Sequence, residues 1–260
     1  MWMYLGLLAA LFLGLHNLCK KHAVQGNEVF PVLLGTISSG FLLLLPFYIG
    51  SQFFKEYMID IQFYINDIPL KTHGFIGAIT IYHEKPNMYQ WVGFFLIIFS
   101  VLLYSRIGKK EGIHFKRNKW IFAIIGATFL GASSGLYDKF LIQNLALNPQ
   151  TLQFWFCFYT VIILLIILTI TWFPNSEKRK AFKWRWSIPL VGVLLQIADY
   201  FYFKALQDPD ALIMLLSAIK RSQILIAVVL GGVLFKEQNK RKKLVPLAGI
   251  MAGVFLILYS

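Results

Sequence analysis

Apolar runs of about twenty residues recur along the chain, and no other feature restricts its fold so tightly. They are read as spans near 2–19, 29–50, 89–105, 120–140, 151–173, 187–205, 211–235 and 244–260. A helix needs about 17–25 apolar residues to cross the hydrocarbon core of a bilayer. Of the 260 residues, 58% are hydrophobic and only 14% charged, where a soluble domain carries about a quarter. The expected fold is all-α, a polytopic membrane bundle of about eight spans.

The net charge of +13 raises nucleic acid as a partner, but the placement of the charge argues for topology. Sixteen of the 25 Lys and Arg residues lie in 106–119, 174–186 and 236–243. Basic residues in short loops between spans mark the cytoplasmic side. With eight spans these three loops, and the smaller Lys20–Lys21 loop, fall on one side. The loops 51–88, 141–150 and 206–210 then fall on the other, with both termini outside. The expected location is a bacterial cytoplasmic membrane, with lipid and a small solute as partners and no nucleic acid.

Residues 51–88 do not read as a span. In "FFKEYMIDIQFYIND" the residues Phe54, Met58, Ile61 and Ile65 share a helical face, the pattern of a helix lying in the interface. The first run lacks a basic start and a small-residue cleavage site, so it reads as a retained span. Cys19 and Cys157 are isolated thiols and imply neither a disulfide framework nor a metal site. No enzymatic constellation or cofactor-binding loop stands out among the five scattered histidines and the glycines. The chain therefore reads as a non-enzyme without a cofactor.

The sequence also resembles itself. "LAALFLGLHNLCKKHAVQ" (8–25) aligns with "IGATFLGASSGLYDKFLIQ" (125–143) through Ala10/Ala127 and two Phe-Leu-Gly triplets, at an offset of 117. "GAITIYHEKPNMYQWVGFFLIIFSVLLYS" (77–105) aligns with "GGVLFKEQNKRKKLVPLAGIMAGVFLILYS" (231–260), with the Tyr-Ser pairs at an offset of 155. The halves carry three and five spans. Odd numbers give them opposite orientation, the inverted-repeat pattern of many transporters.

These residues resemble the EamA-type transporters of the drug/metabolite transporter superfamily. The resemblance rests on an aromatic-x-Glu helix end, a short basic loop and a Gly-rich last span, and covers nearly the whole chain except 51–74. It implies five helices per half and export of small organic solutes. The domain reading is a shortened first repeat over 1–107, a basic linker over 108–118 and a complete second repeat over 119–260. By comparison with its partner, the first repeat lacks its third helix and most of its fourth.

Lys220 and Arg221 carry the sharpest functional signal, because they lie about 15 Å into their span. A charge there costs about 2.5–3.5 kcal/mol and is functional by default. Neighbours on a helix differ by about 100°, so the two cations cannot point the same way. Asp199, in the preceding span, is the natural counter-ion at similar depth; a structural ion pair and a proton or substrate switch are both open. Gln196, Ser217 and Gln223 are candidates for the same cavity, although single polar residues more often bond between helices. Ser134, in "GASSG", and Trp155 and Tyr159, in "QFWFCFYT", complete the substrate-binding candidates. Gly249 and Gly253 form a GxxxG, read as a packing face or a homodimer face. Two readings result. One is a transporter working by alternating access, with two cations against one carboxylate slightly favouring anionic or zwitterionic solutes. The other is a non-transporting packing protein, or an inactive deletion form of a ten-helix parent.

Overall fold

The computed structural model describes residues 1–53, 87–109, 134–172, 182–226 and 240–259, and every regular element among them is helical. The helices are α1 (Trp2–Val24), α2 (Val29–Phe53), α3 (Met88–Lys109), α4 (Pro149–Thr171), α5 (Ser187–Leu206), α6 (Ile213–Arg221) and α7 (Lys240–Leu258). A further helical segment, 134–139, passes into a π-helix at Phe140–Asn144. Trp2–Val24, Val29–Ser51, Pro149–Thr171 and Ser187–Leu206 are long and apolar enough to cross a membrane; Met88–Val101 and Val245–Leu258 are shorter apolar helices. The expected interface helix in 51–88 lies outside the described residues beyond position 53, as does most of the 120–140 span.

Local chemistry sets several of the ends. α4 starts where Asn148 accepts a hydrogen bond from the Gln150 amide at 2.9 Å and Pro149 takes the first turn, because a side-chain cap and a residue without an amide both suit the unpaired start of a helix. α1 ends before Gly26, whose φ of 77° lies in the left-handed region open to glycine. The chain then turns on Asn27. Its side chain donates to Lys183 O at 2.9 Å and accepts from the Lys183 amide at 2.8 Å. Arg185 Nη1 donates to His22 O at 2.9 Å, and His22 Nδ1 lies 3.1 Å from Ser187 Oγ. The α1–α2 turn and the start of α5 are thus tied together at one end of the bundle.

The described helices alternate in direction, as a polytopic bundle requires. α1 runs antiparallel to α5: His16 Nδ1 meets Val191 O at 3.0 Å and Phe12 stacks on Phe201 at 5.7 Å. α2 runs parallel to α5, with Gly35 against Ile188 and Gly40 against Gln196, and antiparallel to α4, with Phe41 near Phe158 and Tyr48 stacked on Phe154. α1 runs parallel to the segment from α6 onward, with Gly6 against Leu216 and Gly14 against Ile226.

Two crossings bring backbones close. A Cβ on Gly192 would overlap Thr36 O and Ser39 Oγ of α2. A Cβ on Gly253 would stand 2.6 Å from Ile97 Cγ1 and 2.7 Å from Gly93 O of α3, and one on Gly249 would overlap Ser100 Oγ. The GxxxG face of α7 is therefore covered by α3 of the same chain. Ile97 and Gly253, at the centre of this antiparallel crossing, are 156 positions apart. The buried apolar core joins α1, α3, α5, α6 and α7 through residues such as Trp2, Ile97, Leu206, Leu216, Ile219 and Ile257.

The 211–235 run is not one uninterrupted helix. α6 closes at Arg221, and Ser222 N bonds Ile219 O and Leu225 N bonds Ser222 O, each at 2.9 Å in the tighter i→i+3 pattern. Lys220 and Arg221 occupy its last turn, where cations complement the carbonyl end of the helix. Helical backbone resumes at 223–226.

Candidate functional site

Tyr202 is the hub of the charged region. It lies on α5, three residues after Asp199, so the two share a helical face. The Lys220 ammonium of α6 stands 3.6 Å from the centroid of the Tyr202 ring. Gly135 brings a third helix in: a Cβ there would be 3.4 Å from Tyr202 Oη, and Asp138 follows Gly135 by three residues on the same face. The charges of Lys220, Asp199 and Asp138 act on one another, and both carboxylates act on Tyr202.

The three charged groups form a layer. Asp138 lies six residues before the end of the π-helix, Asp199 seven before the end of α5, and Lys220 seven after the start of α6. At 1.5 Å per residue, each is about 10 Å from the end of the bundle formed by the 145–148 and 207–212 turns. Asp138, Asp199 and Lys220 are half-buried, while Tyr202 is buried.

The surrounding turns are held by side chains that reach across them. The buried Lys139 donates from Nζ to Ala211 O at 2.9 Å. Gln143 Nε2 donates to Leu206 O at 3.0 Å and to Asp208 O at 2.8 Å. Asp208 Oδ1 accepts from the Asp210 amide at 3.1 Å. Lys139 is thus engaged with the 207–212 turn, and Lys220 is the cation that faces the two carboxylates.

The structure separates the residues singled out from sequence. Arg221 and Ser217 are exposed on a stripe of α6 one turn apart, away from the buried Leu216 and Ile219. Gln196 is engaged between helices: Gln153 Nε2 donates to its Oε1 and to its backbone oxygen, both at 2.7 Å, and Gln196 Nε2 donates to Cys157 Sγ at 3.0 Å. Gln223 Oε1 accepts from Asn17 Nδ2 of α1 at 3.0 Å. Ser134 is exposed one residue before Gly135. Trp155 and Tyr159 belong to an aromatic cluster with Tyr48, Phe154 and Phe158 on α2 and α4. Trp155 Nε1 is buried with no hydrogen-bond partner among the described residues. Lys220 and Asp199 therefore come together, and the other seven lie elsewhere or serve as bridges between helices.

Sequence reasoning missed Asp138 and Tyr202. Asp138 lies beside Lys139, two residues before the expected end of the 120–140 span. The helix instead continues through the π-turn to Asn144, which puts Asp138 six residues before the end where the expected span left two, a shift of about one turn. The uncharged "FLIQNLAL" before Asn148-Pro149 was the available signal. A π-turn inside a helix often marks a functional position.

A polytopic helical bundle with opposed charges at one depth, drawn from three helices, has the architecture of a membrane transporter. The model of the EamA-like transporter family matches residues 118–259, more than half of the chain and all of the charged cluster. The chain belongs to that family, whose members are membrane transporters of small molecules. No curated protein and no solved structure matches the chain.

Proposed function

We propose that the chain is a secondary transporter that moves small organic solutes across the membrane by alternating access, with its solute site at Asp138, Asp199, Tyr202 and Lys220. The observation that carries this reading is the Lys220 ammonium on the Tyr202 ring, where Gly135 also packs, with Asp199 three residues before Tyr202 and Asp138 three residues after Gly135, about 10 Å from one end of the bundle. Charges at that depth are costly to insert, and a packing protein would gain little by holding three of them half-buried. In this reading the first repeat spans 1–107 and the second 119–260, joined by the basic linker 108–118. The second repeat supplies the charged layer, and α1 and α3 of the first support it from behind. Both termini face outward, the basic loops face the cytoplasm, and the protein works without cofactor or enzymatic step.

Cysteine accessibility tests the alternating-access claim. With Cys19 and Cys157 replaced by Ser, a Tyr202→Cys variant is expected to react with membrane-impermeant thiol reagents applied from either side. Reaction from neither side would favour the non-transporting packing protein.

A further inference from the structure

We infer that the end of the bundle where α1 meets the start of α5 binds the headgroup of an anionic phospholipid. The inference is independent of the transport reading, since it concerns a different part of the chain.

The site is built on the non-helical stretch 182–186, which leads into α5. Asn27 holds both backbone groups of Lys183, at 2.9 and 2.8 Å. Arg185 Nη1 donates to His22 O at 2.9 Å and lies 3.3 Å from His22 Nε2. Ser187 Oγ completes the clasp, 3.1 Å from His22 Nδ1. A stretch without helical hydrogen bonds is thereby fixed before any ligand arrives, which lowers the ordering cost of binding.

The clasp gathers cations. Lys20 and Lys183 are exposed and Arg185 is half-buried. Arg185 keeps its full charge, since the His22 carbonyl that accepts its hydrogen bond is neutral and a guanidinium does not lose its proton in proteins. Lys21 and Glu28 contribute one charge of each sign. Over 19–28 and 182–187 the balance is four cations to one carboxylate, with His22 neutral. An anion is the complementary ligand.

The aromatic neighbours favour a lipid over a soluble anion. Trp184 and Trp186 are 59% and 81% exposed, and their rings stand 6.3 Å apart, edge to face. They lie three residues and one residue before Ser187, where a helix long and apolar enough to cross the membrane begins. Indole rings at that level sit among lipid headgroups, and basic pockets at the ends of membrane helices bind anionic headgroups. A soluble phosphate would use the cations and gain nothing from the rings.

Brominated lipids quench indole fluorescence at short range, so Trp184 and Trp186 can report on the lipid beside them. The full chain is placed in phosphatidylcholine nanodiscs carrying an equal mole fraction of brominated phosphatidylglycerol or brominated phosphatidylcholine. The signal of the pair is the difference from a chain carrying Trp184→Phe and Trp186→Phe. Brominated phosphatidylglycerol is expected to quench that signal at least threefold more strongly. Lys20→Gln combined with Lys183→Gln is expected to remove at least half of the excess. Asn27→Ala, which frees the stretch and leaves every charge in place, is expected to do the same; Arg185→Lys serves as a second charge-preserving variant should the first fail to fold. Equal quenching by the two lipids, an excess undiminished by the double substitution, or an excess unchanged in the folded charge-preserving variant would each overturn the inference. Inorganic phosphate at millimolar concentration, against chloride at matched ionic strength, is expected to leave the excess unchanged. Its loss would assign the cations to a soluble anion and would also overturn the inference.

Discussion

Lys220 and Arg221 are neighbours in sequence and have different surroundings in space. Lys220 meets the Tyr202 ring at 3.6 Å, whereas Arg221 is exposed, so the two should respond differently to substitution. Arg221→Gln is expected to change solute flux into liposomes less than twofold, in an assay that shows a large change for Lys220 variants. Gln196 offers a second contrast. It accepts two hydrogen bonds from the Gln153 amide and donates to Cys157, so Gln196→Leu leaves a buried amide short of a partner. A loss of about 1–2 kcal/mol of stability is expected, read as a lowered melting temperature in detergent with solute affinity preserved. Sequence could nominate intramembrane polar residues, because they interrupt apolar runs. It could not say which were engaged by a neighbouring helix, because that depends on which faces meet.

At the scale of elements, the helices were legible and their irregularities were not. Hydropathy locates α1, α2, α4 and α5 because a bilayer-spanning helix has to be apolar over its whole length. The π-turn after Lys139 and the break after Arg221 leave no comparable trace, since both are settled by how neighbouring segments pack. These two departures position the candidate site: one draws Asp138 inward, and the other ends α6 at Arg221, so that Lys220 lies in its last turn. The close crossings make a further prediction. Gly192→Val would force α5 away from Thr36 and Ser39 of α2, and Gly253→Leu would force α7 away from Ile97 and Gly93 of α3. Each is expected to destabilise the fold by about 1–3 kcal/mol, the range typical of overpacked interfaces. Thermal unfolding in detergent would check it.

For the whole molecule, α3 and α7 pack closely and antiparallel around Ile97 and Gly253. The same contact covers the GxxxG face within one chain. Gly253→Leu is accordingly expected to lower stability without converting a dimer to a monomer, which light scattering in detergent would show. The charged layer lies within residues 118–259, which the family model matches, so the transport reading depends chiefly on that part of the chain. Asp138 is the residue that tests it most directly, because its role follows from the three-dimensional arrangement and not from the sequence pattern. Flux of small amines, zwitterions and acids into liposomes should be compared between the wild-type chain and Asp138→Asn, both verified as folded by thermal unfolding. The account predicts saturable flux of at least one solute in the wild type and a loss of tenfold or more in the variant. Equal flux in the two proteins, or none in the folded wild type for any solute, would contradict it.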